Sequence, residues 1–232
     1  MNGKKWFLPA VAGCLLLILL AILLWWVVKA ETPGAPKTSG KPLRISRYYW
    51  PGQFWHDIAA QKGWFAAAGL NVELVDTNAD YIGFLKMTAE GKLDVNGFTL
   101  FDLVRYNARG AELVGVIHTD DSTGADAIVA RGAIGHVREL RGRRVGVARD
   151  SYLEYILSIA LERVGLALSD VVLVDVQAEQ APEALHLGKV DAVVTWEPFA
   201  TQSAFQAKGR RIFDSSEIPG ISPALEVFPR RL

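Results

Sequence analysis

One cysteine in 232 residues, Cys14, cannot close a disulfide within the chain, and no zinc site can be assembled from thiolates. The four histidines, His56, His118, His136 and His186, are scattered and lack the H-E-x-x-H spacing of a metalloprotease. No excess charge of either sign exists: 25 lysines and arginines balance 25 aspartates and glutamates. The long-range field that draws nucleic acid to a basic surface is therefore missing. The chain also lacks a Gly-rich phosphate loop, a G-x-S-x-G elbow and a close Cys–His pair. Asp120 and Asp121 are adjacent carboxylates, but neighbours on a loop more often point apart into water than share a proton.

Charge is absent in another sense from Trp6 to Val28, an uninterrupted apolar run. At about 1.5 Å per residue it is long enough to cross a ~30 Å hydrocarbon layer. Lys4 and Lys5 precede it, so the positive-inside rule leaves the amino terminus in the cytoplasm and sends the rest outward. Trp6, Trp25 and Trp26 sit where interfacial anchors belong. A cleaved signal peptide is the competing reading, because Val28-Lys29-Ala30 resembles a cleavage site, but a signal core is usually ~7–15 residues. Val11-Ala12-Gly13-Cys14 also resembles a lipobox, although most of the apolar run follows the cysteine. The expected organisation is a cytoplasmic tip and transmembrane anchor over 1–30, a Pro/Gly/Ser/Thr-rich tether over 31–42, and a folded domain over 43–232.

Within 43–232, short apolar runs alternate with helical patterns, which predicts an α/β fold. The clearest unit is Arg143–Gly165: a buried strand over Arg144–Ala148, a polar turn, then a helix carrying Leu153, Ile156, Leu157, Ala160, Leu161 and Val164 at helical spacing. Ser151 and Glu154 form an S-x-x-E capping signature. The pair either only starts the helix or also points free amides into a cleft that suits a polar ligand. Further strands are predicted near 43–49, 72–76, 95–98, 113–118, 127–130, 171–175, 192–195 and 211–213. Helices are predicted near 53–68, 81–90, 100–107, 181–187 and 198–207.

The chain also echoes itself. Gly69-Leu70 leads to Leu74-Val75-Asp76, a helix and Gly91-Lys92-Leu93-Asp94; Gly165-Leu166 leads to Leu173-Val174-Asp175, a helix and Gly188-Lys189-Val190-Asp191. Two matched units predict two similar lobes with a cleft between them. The expected division is lobe 1 over about 43–120 plus 211–232 and lobe 2 over about 121–210. Ligands of α/β sheets gather at the carboxyl ends of strands. The candidates are therefore Tyr48, Tyr49, Trp50 and Gln53 after the first strand, Thr99, the Asp120–Gly124 segment, Ser151 with Tyr152, and Trp196 with Glu197. Each has a plainer reading as core aromatic, helix cap or structural ion-pair partner.

The strings G-x-x-x-A-A-G-L-N-V-E-L-V, G-K-L-D-V, G-A-D-A-I-V-A-R, L-R-G-R-R-V-G-V, V-D-A-V-V-T-W-E-P and F-D-S-S-E-I-P-G resemble, in that order, solute-binding proteins of bacterial ABC importers. The similar branch includes binders of nitrate, sulfonates, taurine and thiamine precursors. The resemblance covers roughly Leu43 to Gly220. It implies a two-lobed, type II periplasmic-binding fold that closes on a small solute and presents it to a permease, with no cofactor. It places ligand positions on Tyr48 to Gln53, Thr99, Ser122, Thr123, Ser151, Tyr152, Trp196 and Glu197. Family members run on past F-D-S-S-E-I-P-G with further helices, so a chain stopping at Leu232 would leave the first lobe incomplete. Pro223 speaks against a central strand over Leu225–Phe228.

Two rival classes remain open on the residues. A tethered sensor or truncated binding module would use the same anchor. An enzyme acting on thiamine or menaquinone precursors would share the architecture, but the cysteine-rich motif of the thiamine-pyrimidine enzymes is not present.

Overall fold

A computed structural model describes residues 40–78 and 80–232. The predicted anchor at Trp6–Val28 and most of the tether lie outside the described residues. Among the described residues, no helix is long and apolar enough to cross a membrane.

The described residues form ten strands: β1 (Leu43–Arg47), β2 (Val72–Asp76), β3 (Asn96–Thr99), β4 (Leu113–Asp121), β5 (Asp126–Ala130), β6 (Arg144–Val147), β7 (Val172–Asp175), β8 (Ala192–Trp196), β9 (Arg210–Asp214) and β10 (Pro223–Pro229). The helices are α1 (Phe54–Gln61), α2 (Trp64–Ala67), α3 (Tyr81–Ala89), α4 (Leu100–Ala108), α5 (Tyr152–Glu162), α6 (Ala181–His186) and α7 (Phe199–Ala207). The single helix expected over 53–68 is broken in two. Gly63 takes a left-handed conformation, φ 70°, that ends one helix and starts the next.

The strands form two rows with one wiring. In the first, β2 pairs parallel with β1, a parallel bridge between Ile45 and Val95 continues the row, and β3, β10 and β4 complete it. In the second, the order is β7-β6-β8-β5-β9. Each row has a parallel core and one antiparallel strand, β10 or β5, inserted beside its outermost member.

The repeated G-K-x-D string has a physical cause that is visible in both rows. Arg44 on β1 donates through Nε to Asp94 Oδ2 at 3.0 Å and through Nη2 to the Gly91 carbonyl at 2.8 Å. Arg144 on β6 donates through Nε to Asp191 Oδ2 at 3.1 Å and through Nη1 to the Lys189 carbonyl at 2.9 Å. In both, the aspartate also accepts the arginine's own backbone N–H at 3.0 Å. The clamp locks the turn that feeds the row's third strand, and glycine is required there because Gly91 and Gly188 have φ of 73° and 69°.

Two expectations are corrected. Leu225–Phe228 does form a central strand: β10 lies between β3 and β4. Its prolines stand at its first and last positions, where a missing N–H costs the ladder little. Residues 211–214 are expected in the first lobe, yet they belong to β9, which pairs with β5 in the second row. Strand β5 decides this, since all five of its residues are buried and both its edges need partners.

The core follows the predicted helical face of α5: Leu153, Ile156, Leu157, Ala160 and Leu161 are buried against β5, β6 and β8. A continuous apolar cluster extends from there to Phe84, Leu85 and Phe98 of the first row.

Candidate functional site

Where the two rows meet, a cavity of about 70 Å³ is walled from both sides. The first row and its connections supply Tyr48, Trp50, Gln53, Tyr81 and Thr99; the second supplies Asp126, Tyr152 and Trp196. β4, the turn after it, the segment leading into β10 and β10 itself supply Asp120, Ser122, Ser222 and Glu226.

Eight of the predicted residues line this cavity: Tyr48, Trp50, Gln53, Thr99, Asp120, Ser122, Tyr152 and Trp196. Tyr48 is buried, donates its hydroxyl to Glu179 Oε1 at 2.9 Å, and packs edge-on against Trp196 with centroids 6.5 Å apart. Burial pushes its hydroxyl pKa well up, and nearby Glu179 adds to the shift. Trp50 donates Nε1 to Asp120 Oδ1 at 3.1 Å, and Tyr152 donates its hydroxyl to Asp126 Oδ2 at 3.1 Å. Thr99 caps α4: its Oγ accepts the Asp102 N–H at 3.1 Å and donates to Asp102 Oδ2 at 2.9 Å.

Tyr49, Asp121, Thr123, Gly124, Ser151 and Glu197 lie outside the lining. Tyr49 stacks on Tyr48 at 4.6 Å and meets Phe199 edge-on. Thr123 is exposed on the turn. Ser151 is a buried helix cap whose Oγ accepts the Leu153 N–H at 3.1 Å and donates to the Ala148 carbonyl at 2.7 Å, which spends the hydroxyl locally. Glu154 reaches back to the Asp150 N–H instead of the cap residue. Glu197 pairs with Arg211 and accepts from Thr201, the structural role that its plainer reading described.

The lining residues that sequence reasoning missed include Tyr81, Phe84, Asp126 and Glu226. Asp126 and Glu226 could have been found as acidic residues inside otherwise apolar runs, D-A-I-V-A and A-L-E-V-F.

Polar atoms without partners cluster on this wall. Gln53 Oε1, Ser122 Oγ, Trp196 Nε1 and both Glu226 carboxylate oxygens are buried with no hydrogen bond. His56 Nε2 stands 3.3 Å from Glu226 Oε2, but the alignment is too poor for a hydrogen bond. Burial raises the pKa of Asp126, against the opposing effect of neighbouring hydroxyls from Ser122, Tyr152, Ser215 and Ser222. Among the described residues, no group of histidine, cysteine or carboxylate side chains is arranged to hold a metal ion.

Side chains of the two rows also meet beside the cavity. Arg105 Nη1 meets Asp150 Oδ2 at 2.8 Å, and Arg109 donates to both Asp150 oxygens. Phe101 and Tyr155 stack with centroids 4.7 Å apart, and Tyr81 meets Trp196 at the same separation.

An α/β fold with two like-wired rows and a cavity at their junction is that of a periplasmic binding protein. Solved structures agree in fold. The alkanesulfonate-binding protein from Xanthomonas axonopodis pv. citri, solved with MOPS bound, superposes with a TM-score of 0.71 at 20% identity, covering 83% of this chain and 68% of that one. The periplasmic aliphatic sulphonate binding protein from Escherichia coli gives 0.68 at 21% identity, covering 83% and 66%.

The chain belongs to the NMT1/THI5-like family, whose match runs over residues 57–219. A Bacillus subtilis protein provisionally named as an aliphatic sulfonates-binding protein is 30% identical over 148 residues, 61% of this chain and 44% of that protein. A Haemophilus influenzae protein provisionally named as a thiamine biosynthesis protein is 29% identical over 138 residues, 59% and 43% of the two chains. The matches span less than half the length of those curated relatives.

Proposed function

We propose that this chain is a membrane-tethered, extracytoplasmic solute-binding protein that delivers a small molecule to an ABC importer by closing two lobes around it. The observation that carries this reading is the cavity built jointly by Tyr48 and Gln53 from one row and Tyr152 and Trp196 from the other. A ligand that touches both sides favours the closed arrangement, because closure is stabilised only by contacts unavailable when the rows are apart. Family membership and the binding-protein names of its relatives support the same reading.

The chain passes between the rows twice, through 122–125 and 215–222, and Ser122 donates its backbone N–H to the Ser222 carbonyl at 3.1 Å. These paired crossings are the hinge of the proposal. The apolar run Trp6–Val28 and the tether 31–42 would hold the domain at the outer face of the plasma membrane beside the permease.

The test is thermal unfolding of the full-length chain in detergent against a library of small solutes, with turnover followed in parallel. A ligand at ~100 times its dissociation constant adds about 2.7 kcal/mol. A saturable shift that Trp196→Ala abolishes, without conversion of the ligand, is the expected result. A library with no stabilising solute, or one that is consumed, refutes the reading.

A further inference from the structure

The ligand's chemistry is legible in the hydrogen-bonding groups that the cavity leaves unpaired. Three orphaned atoms are acceptors, Gln53 Oε1 and the two Glu226 oxygens, whereas Trp196 Nε1 alone is an obligate donor. Ser122 Oγ can serve as either. A buried acceptor without a partner is costly, and a buried carboxylate more so. Glu226 is 1% exposed, lines the cavity and makes no hydrogen bond, so an occupant rich in N–H groups would satisfy the wall and one rich in acceptors would not.

Charge points the same way. Asp120, Asp126 and Glu226 all line the cavity, and among the described residues no lysine or arginine does. Seven aromatic residues share the wall with small and uncharged polar ones: Tyr48, Trp50, Tyr81, Phe84, Phe98, Tyr152 and Trp196. Ring faces attract cations through their quadrupoles, most strongly when water is excluded. An anion such as a sulfonate would meet carboxylate side chains and π-faces with no fixed positive charge to receive it.

We propose that the cavity takes a small organic cation, an ammonium or amidinium group, seated on Glu226, Asp126 and Asp120 between the ring faces of Tyr48, Tyr81 and Trp196. This rests on the solute-binding reading above and narrows it to a charge class different from that in the relatives' names. Asp126 adds support, because a cation beside it favours the ionised form that burial opposes.

Titration calorimetry on the full-length chain in detergent tests it with matched pairs: butylamine, protonated at neutral pH, against its neutral isostere butan-1-ol, and benzamidine against benzamide, with methanesulfonate and ethanesulfonate as anions. The expected result is at least tenfold tighter binding of one cation than of its isostere, with no sulfonate binding. Glu226→Gln should cut that preference at least tenfold. If this variant unfolds beside His56, Asp120→Asn serves in its place, and the wild-type isostere comparison stands without either. Equal binding of cation and isostere overturns the inference, as does a preference unchanged in both variants. Sulfonate binding without cation binding overturns this inference alone and leaves the solute-binding reading intact. No binding by any probe overturns the cation inference, and the wider library then decides the solute-binding reading.

Discussion

Asp102 tests whether the wall beside the cavity is held by hydrogen bonds or by charge. Its side chain is fully buried; it accepts the Tyr81 hydroxyl at 2.5 Å and the Thr99 hydroxyl at 2.9 Å, and Arg105 Nη2 lies 3.4 Å from its other oxygen. Asp102→Ala strands two hydroxyls, that of Tyr81 fully buried, at about 1–3 kcal/mol each, so a total of about 2–6 kcal/mol, centred on ~4, is expected. With a urea slope of roughly 2 kcal/mol/M, the unfolding midpoint should fall by about 2 M, readable by tryptophan fluorescence. Asp102→Asn retains an acceptor for both hydroxyls, and its loss should be less than half as large. Burial raises the Asp102 pKa above its ordinary 3.8, against the opposing effects of Tyr81, Thr99 and Arg105. A raised folded value makes this group's contribution complete below the unfolded value and lost as pH climbs through the folded one. The stability gap between wild type and Asp102→Asn should therefore narrow from about pH 4 to pH 7. A gap that widens over that range, or an Asn variant as unstable as the Ala one, would refute the account and make the Arg105 attraction dominant.

The duplicated clamp offers an internal control. Burial pushes Asp94 up, but hydrogen bonds from Arg44 outweigh it and leave its pKa lowered; the Arg144 hydrogen bond lowers that of Asp191. Both therefore contribute above the ordinary carboxylate range and lose that contribution as pH falls through it. Asp94→Asn and Asp191→Asn should each lower the melting temperature at pH 7 and flatten its decline in acid, with the larger effect at the more buried Asp94. A methyl at Gly97 would overlap the Gln53 amide, so Gly97→Ala should weaken ligand binding, and adding Gln53→Ala should restore stability without restoring affinity, as calorimetry would report. Asp150→Asn removes the cross-row pairing with Arg105 and Arg109 and should weaken ligand affinity most at low salt, because the carboxylate is exposed and screened. Leu157→Ala, in the fully buried face of α5, should cost about 2–5 kcal/mol in chemical denaturation.

The alternation of elements, the two matched units and most strand positions were legible because they depend on local periodicity and on glycine at helix ends. Arg144–Val147 followed by Tyr152–Glu162 matches the strand, turn and helix read from the apolar spacing. What escaped was non-local. Nothing beside Pro223 records that β3 and β4 leave a gap that only β10 can fill, and nothing beside Arg211 records that β5 needs a second neighbour. The strand-end rule brought eight candidates to one cavity, but it could not separate a serine that faces it, Ser122, from one consumed as a cap, Ser151. Asp126 and Glu226 were hidden because an acid in an apolar run becomes informative only once both runs are seen to face the same space.

The late position of β10 in the chain sets an order of assembly. Residues 126–214 are contiguous and contain every strand of the second row, so that half can take shape as soon as its stretch has been synthesised. The other half cannot: β3 and β4 emerge early, yet they must keep their facing edges unpaired until residues 223–229 arrive. Open edges are where chains stick to one another. The earlier-made half is thus the one that waits, and it is there that a chaperone would be needed most.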